Sequence, residues 1–145
     1  MKTIIYFLLV CFLFVCPLFS EDTPESLYQQ TEALYNQIKD EGPSIKNIPK
    51  YKEISRLLKE ITDKNPEDKE LLKKTYQLLI TSYDRQAKYP EKHLSLIKYA
   101  KLISNNDKEK TSQVIQEEID ELYRQGEISE AKLLYKKFQS VLGNL

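Results

Sequence analysis

The sequence predicts an all-α chain, six amphipathic helices taken as three antiparallel helical hairpins, preceded by an N-terminal signal helix. Three observations predict it. Large apolar residues recur at intervals of three and four through residues 24–142, the spacing that lines one face of a helix. The breaks between those runs fall at glycine, proline and asparagine. Glycine itself is rare (Gly42, Gly126 and Gly143), and no stretch reads as a credible strand.

The first 20 residues stand apart. Met1-Lys2 is a short basic start, Thr3 to Phe19 is a run of 17 uncharged residues, and Ser20 leads into the acidic Glu21-Asp22-Thr23-Pro24-Glu25. That is the layout of a secretory signal peptide, with an apolar run at the lower edge of what spans a bilayer. Cleavage after the small Ser20 is the expected fate. Retention as an anchor, or lipid attachment at Cys16 or Cys11, are the alternatives. Leu13-Phe14-Val15-Cys16 only loosely resembles a bacterial lipobox. The domain is therefore expected to be exported, periplasmic or envelope-associated, or secreted.

Residues 21–145 hold no cysteine, so a disulfide-stapled scaffold is excluded. They carry 22 acidic and 21 basic residues, a net charge of −1. Such interspersed charge gives no basic face for nucleic acid and no pull toward anionic lipid. At 125 residues the remainder suits one domain with a real core.

Helix one is predicted from Pro24 to about Glu41, with Leu27/Tyr28, Thr31, Leu34/Tyr35 and Ile38 on its buried stripe, and Gly42-Pro43-Ser44 as its end. Helix two starts near Asn47 as N-cap, with Pro49 in its first turn and Tyr51, Ile54, Leu58 and Ile61 inward. Asn65-Pro66 closes it, and Glu67-Asp68 suit the positive end of helix three. Helix three runs to about Ala87 with Leu72, Tyr76, Leu79 and Tyr83 on one face. Helix four, Pro90 to Ser104, carries Leu94, Ile97, Ala100 and Ile103. Asn105-Asn106-Asp107 is a turn and capping cluster. Helix five, Lys108 to Gln125, shows Ile115, Ile119 and Leu122. Helix six, Ile128 to Leu142, has the stripe Ile128, Ala131, Tyr135, Phe138, Leu142, with Gly143 as a left-handed cap.

The even-numbered helices look alike. Tyr51-Lys52-Glu53-Ile54, Leu57-Leu58, Ile61 and Asn65-Pro66 resemble the second helix of a tetratricopeptide repeat through to its closing proline. Glu130-Ala131, Tyr135 and Phe138, with Gly126 before them, resemble the same helix with its turn. His93 to Ala100 followed by Asn105-Asn106-Asp107 is a fainter third copy. The copies begin near residues 48, 90 and 128, about 42 and 38 apart, against a family period of 34. The first helices depart from the pattern: tryptophan is absent, and Tyr76 and Ile119 stand at the small-residue position. The resemblance, to an exported bacterial member of the family, implies a short right-handed solenoid. A six-helix bundle closed around one axis is the other architecture.

No metal site, cofactor or catalytic set emerges. The exported portion has one histidine, His93, read as a surface or seam residue of helix four. The acidic pairs Glu117-Glu118, Asp120-Glu121 and Glu127/Glu130 read as solvated faces with lysines three or four residues away. Most of the domain's nine tyrosines fall on apolar stripes, where a ring packs and its hydroxyl reaches the edge. The chain is expected not to be an enzyme. What the resemblance implies instead is a groove lined by first helices, holding a protein or peptide partner. On helix three that face is Glu70, Lys73, Gln77 and Ile80; on helix five it is Gln113, Gln116, Asp120 and Tyr123. Lys73 and Gln77 faintly resemble the family's clamp for a C-terminal carboxylate, which Asp120 would repel. A structural or self-associating helical bundle is the alternative function.

Overall fold

The computed structural model describes residues 22–142, so the expected signal segment and the expected Gly143 cap lie outside the described residues. Six helices follow one another: α1 (Pro24–Asn36), α2 (Ile48–Lys64), α3 (Lys69–Arg85), α4 (Tyr89–Ile103), α5 (Lys108–Arg124) and α6 (Ile128–Leu142). Two short 3-10 turns, Lys39–Glu41 and Ile45–Asn47, join α1 to α2. The described residues form no strand, and none of their helices is long and apolar enough to cross a membrane.

Capping explains the starts. Thr23 accepts from the Ser26 amide at 3.2 Å, Asp68 from Glu70 and Leu71 at 2.8 and 3.1 Å, and Asp107 from Lys110 at 2.9 Å. Each carboxylate or hydroxyl satisfies an amide the helix cannot. Asn47 does otherwise. Its side chain is buried and donates to Glu41 at 2.8 Å, tying the loop together, while the Ile45–Asn47 turn feeds α2 directly.

Three ends share one device. In α3, α4 and α5 the amides of Lys88, Asn106 and Glu127 reach back five residues to the carbonyls of Tyr83, Lys101 and Leu122, at 2.9, 2.8 and 2.9 Å. The residue before each has positive φ: Ala87 (53°), Asn105 (51°) and Gly126 (82°). This is the Schellman closure, which favours glycine or asparagine; Ala87 is the strained member. Helix one ends earlier than its periodicity suggests. The amides of Gln37 and Ile38 bond three residues back, and the tightened turn sinks Ile38 fully into the core.

Packing follows chain order: α1 on α2, α2 on α3, α3 on α4, α4 on α5 and α5 on α6, with α4 also resting on α6. The apolar interior is correspondingly split. Leu27, Ile38, Tyr51, Ile54, Leu58, Ile61, Leu71 and Leu79 close the α1–α3 part. Ile97, Ala100, Ile115, Ile119, Leu122, Ala131, Leu134 and Phe138 close the α4–α6 part, and Ile80 of α3 packs against it. Phe138 meets its immediate predecessors rather than α1.

The stripes needed correcting where helices are amphipathic on more than one side. Leu94 and Ile103 of α4 are exposed, and Leu96 and His93 are buried in their place. In α6, Ile128 and Tyr135 stand about half exposed, and Leu134 takes the buried position. Each odd-numbered helix also buries a threonine, Thr31, Thr75 and Thr111, all at most 1% exposed. Each hydroxyl donates to the carbonyl four residues back, at 2.8, 2.8 and 2.6 Å. That bond lets a polar side chain vanish into the seam without an orphan group.

Candidate functional site

The expected groove residues occupy two helix faces. On α3, Glu70 is exposed and paired with Lys73 at 2.6 Å, so that lysine is engaged with its own helix. Gln77 donates to the Tyr99 hydroxyl of α4 at 2.9 Å, and Ile80 is half-buried against the second core. On α5, Gln113 and Gln116 donate to Glu117 and Asp120 at 3.3 and 2.8 Å, and Tyr123 is 46% exposed. Of the eight, only Gln77 lines a described cavity: a groove of about 290 Å³ between α1 and α3, walled by Tyr28, Glu32, Tyr35, Lys74 and Thr81.

A second constellation went unnoticed in the sequence. Lys92 and His93, in the first turns of α4, are 9% and 2% exposed, and Glu130, in the first turn of α6, is 8% exposed. The Lys92 ammonium stands 2.6 Å from Glu130 Oε1 and 2.7 Å from Asp84 Oδ1, at the end of α3. Its approach to Glu130 is an ion-pair distance without hydrogen-bond alignment, and His93 Nε2, 3.5 Å from the same oxygen, has no hydrogen-bond partner. Glu118 of α5 lies within electrostatic reach, so all four helices from α3 to α6 bring a charged side chain to this point.

Burial acts on Lys92, His93 and Glu118. Burial works against the Lys92 ammonium, but Asp84 and Glu130 outweigh it and hold its pKa above the usual lysine value. Burial dominates at His93, and Lys92 and Lys137 reinforce it against the pull of Glu130; the imidazole pKa falls below its usual value, leaving it neutral near pH 7. Burial likewise raises the Glu118 carboxyl, with Lys92 opposing and Glu130 and Glu121 adding to it. A locked ammonium is no nucleophile, and His93 Nε2 has no hydrogen-bond partner among the described residues. Among the described residues no group of three His, Cys, Asp or Glu side chains is placed to hold a metal ion. Glu130 was therefore misread as solvated. The overlooked signal is Lys92-His93 in an opening helical turn, where the dipole disfavours cations unless partners hold them.

Beside this cluster, a cavity of about 280 Å³ opens between the start of α4 and one flank of α6, lined by Pro90, His93, Leu133, Lys136, Lys137 and Ser140. No family model, curated protein or solved structure matches the chain.

Proposed function

We propose that this protein is a non-enzymatic adaptor of the bacterial envelope or periplasm, exported by its first 20 residues and built as a short tetratricopeptide-like right-handed solenoid. Its work is to hold a protein or peptide partner along the face formed by the odd-numbered helices. Stacking in chain order supports the reading, because one hairpin cannot hide its apolar stripe alone. The repeated buried threonines of α1, α3 and α5 support it as well.

The single observation that carries it is the groove between α1 and α3. These helices lie either side of a trough of about 290 Å³ with Tyr28, Tyr35 and Gln77 on its walls. Rigid tyrosines flanked by Glu32 and Lys74 suit capture of a peptide with mixed charge. Gln113, Gln116, Asp120 and Tyr123 extend the same kind of surface along α5. Self-association is the second reading, favoured by Ile128, Leu133 and Tyr135, all about half exposed on α6.

A photo-crosslinking residue at Gln77, Gln116 or Tyr135, compared with one at Arg56 on the solvent side of α2, tests both. The adaptor gives a heterologous adduct from the first two positions and none from Arg56. Adducts of twice the chain mass, strongest from Tyr135, establish self-association. Equal adducts at Gln77 and Arg56, or none anywhere, sink the adaptor.

A further inference from the structure

We infer that the cavity between α4 and α6 binds a small carboxylate with an apolar tail, in class a medium-chain fatty acid. This goes beyond the peptide groove and concerns the opposite end of the chain. Its walls are apolar: the Pro90 ring, the exposed Leu133 side chain and the methylene stems of Lys136 and Lys137. At about 280 Å³ it sits at the lower end of small-ligand sites and fits a short chain rather than a folded partner.

The cations at its mouth favour an anion, and the carboxylate nearest its His93 wall, Glu130, is already paired with Lys92. Lys136 and Lys137 line the opening and form no ion pair among the described residues. The α4 end of the cavity is a helix N-terminus whose capping residue, Lys88, offers no side-chain acceptor to the first-turn amides. The dipole there adds a favourable potential for an anion, although Pro90 carries no amide hydrogen and the Lys92 amide already bonds Lys88. His93 lines the cavity while 98% of its surface is hidden, and its Nε2 stands 3.5 Å from Glu130 Oε1, so the ring reports on occupancy of the cavity rather than holding the carboxylate. A tail-bearing cation would meet two lysines at the mouth, with Lys92 behind the wall. A neutral chain would leave both lysines uncompensated. A carboxylate lies between the ammonium groups while its tail covers Leu133 and Pro90.

The test uses the chain's single histidine, whose imidazole Cε1–H gives one unambiguous proton–carbon resonance. Decanoate, titrated into the full chain near neutral pH, is expected to move that resonance saturably, with half-saturation in the high-micromolar to low-millimolar range. Acetate, decanol and decyltrimethylammonium are expected to leave it in place. K136Q/K137Q, at one exposed and one half-buried position, is expected to weaken decanoate about fivefold or more, the scale of two exposed charge contacts. L133W fills the cavity from its exposed side and is expected to abolish the shift with the unfolding midpoint unchanged. No saturable shift with decanoate, an equal shift with decyltrimethylammonium, or full binding by L133W overturns the proposal. So does a leucine-terminated peptide that saturates the resonance where decanoate does not, since it would make this a peptide site. The crosslinking comparison at Gln77 is unaffected by any of these results, so the two readings fail separately.

Discussion

Replacing Lys92 by methionine keeps its stem in the α4–α6 seam and removes only the ammonium. What remains is Glu130, its side chain 9% exposed, facing a neutral imidazole and the partly buried Glu118 with no cation between them. Breaking a buried pair from one side typically costs about 3–5 kcal/mol, because an unpaired charge is left inside. Here the other partner, Asp84, is 46% exposed and admits water to the cluster. The lower part of the range applies, about 3 kcal/mol. For a domain this size each kcal/mol moves the melting temperature by about 4 °C, so K92M is expected to lower it by roughly 12 °C.

E130Q should cost less, about 1–2 kcal/mol, since Lys92 keeps Asp84 and no carboxylate is orphaned. The decisive variant is the double one. K92M/E130L removes both charges and replaces them with apolar groups of similar reach, and is expected to lie within about 1 kcal/mol of the parent. Urea denaturation followed by helical circular dichroism measures all three. A K92M loss below about 1 kcal/mol, or a double variant as unstable as the single one, refutes the reasoning that the ion pair is buried and mutually dependent.

Three further outcomes follow from the same structure. Ala87 holds φ of 53° in a Schellman closure, so A87G is expected to raise stability by about 0.5–1 kcal/mol, read from the urea midpoint. Phe138 is 7% and Tyr135 48% exposed; F138A is expected to cost about 3–5 kcal/mol and Y135A under about 1, and equal losses would restore the stripe drawn from periodicity. His93 is held below its unfolded value of 6.5, so the unfolded chain takes up its proton first and stability falls as pH drops below 6.5 toward the folded value. Glu118 is raised from 4.5, its contribution present at low pH and lost as pH rises, so it opposes that slope; H93Q is expected to flatten the fall in unfolding free energy between about pH 6.5 and 5.

The elements were readable because their punctuation is strong. Pro24, Pro49, Pro66, Asp68, Asp107 and Gly126 each act through purely local sterics or hydrogen bonding, and five of six predicted starts fall within a residue or two of the observed ones. In α2 and α5 every residue expected to face inward is buried, and Ser55, Leu57 and Thr111 are buried beside them. Helices packed on several neighbours depart from the expected stripe. α4 rests on α3, α5 and α6, so its buried arc is wide and includes Lys92, His93, Ser95 and Leu96, which no single 3.6-residue stripe selects. Glu130 shows the limit most clearly. Its burial depends on Lys92, 38 positions away in the sequence, and only the side-by-side placement of α4 and α6 brings the two together.

Two apolar interiors that share few residues need something to hold them in register. Hydrophobic contact is non-directional and would tolerate sliding along the α3–α4 seam. The polar pins there are directional and spaced along its length. Lys69 reaches Asn105 at 3.3 Å at one end, Gln77 meets Tyr99 at 2.9 Å near the middle, and Lys92 bonds Asp84 at 2.7 Å at the other end. The last alone continues into α6 through Glu130, and so ties the second interior to the first. Exposed pins contribute little free energy, but the buried one penalises any register that separates its charges. Lys92 therefore does for orientation what Ile80, reaching from α3 into the second core, does for burial.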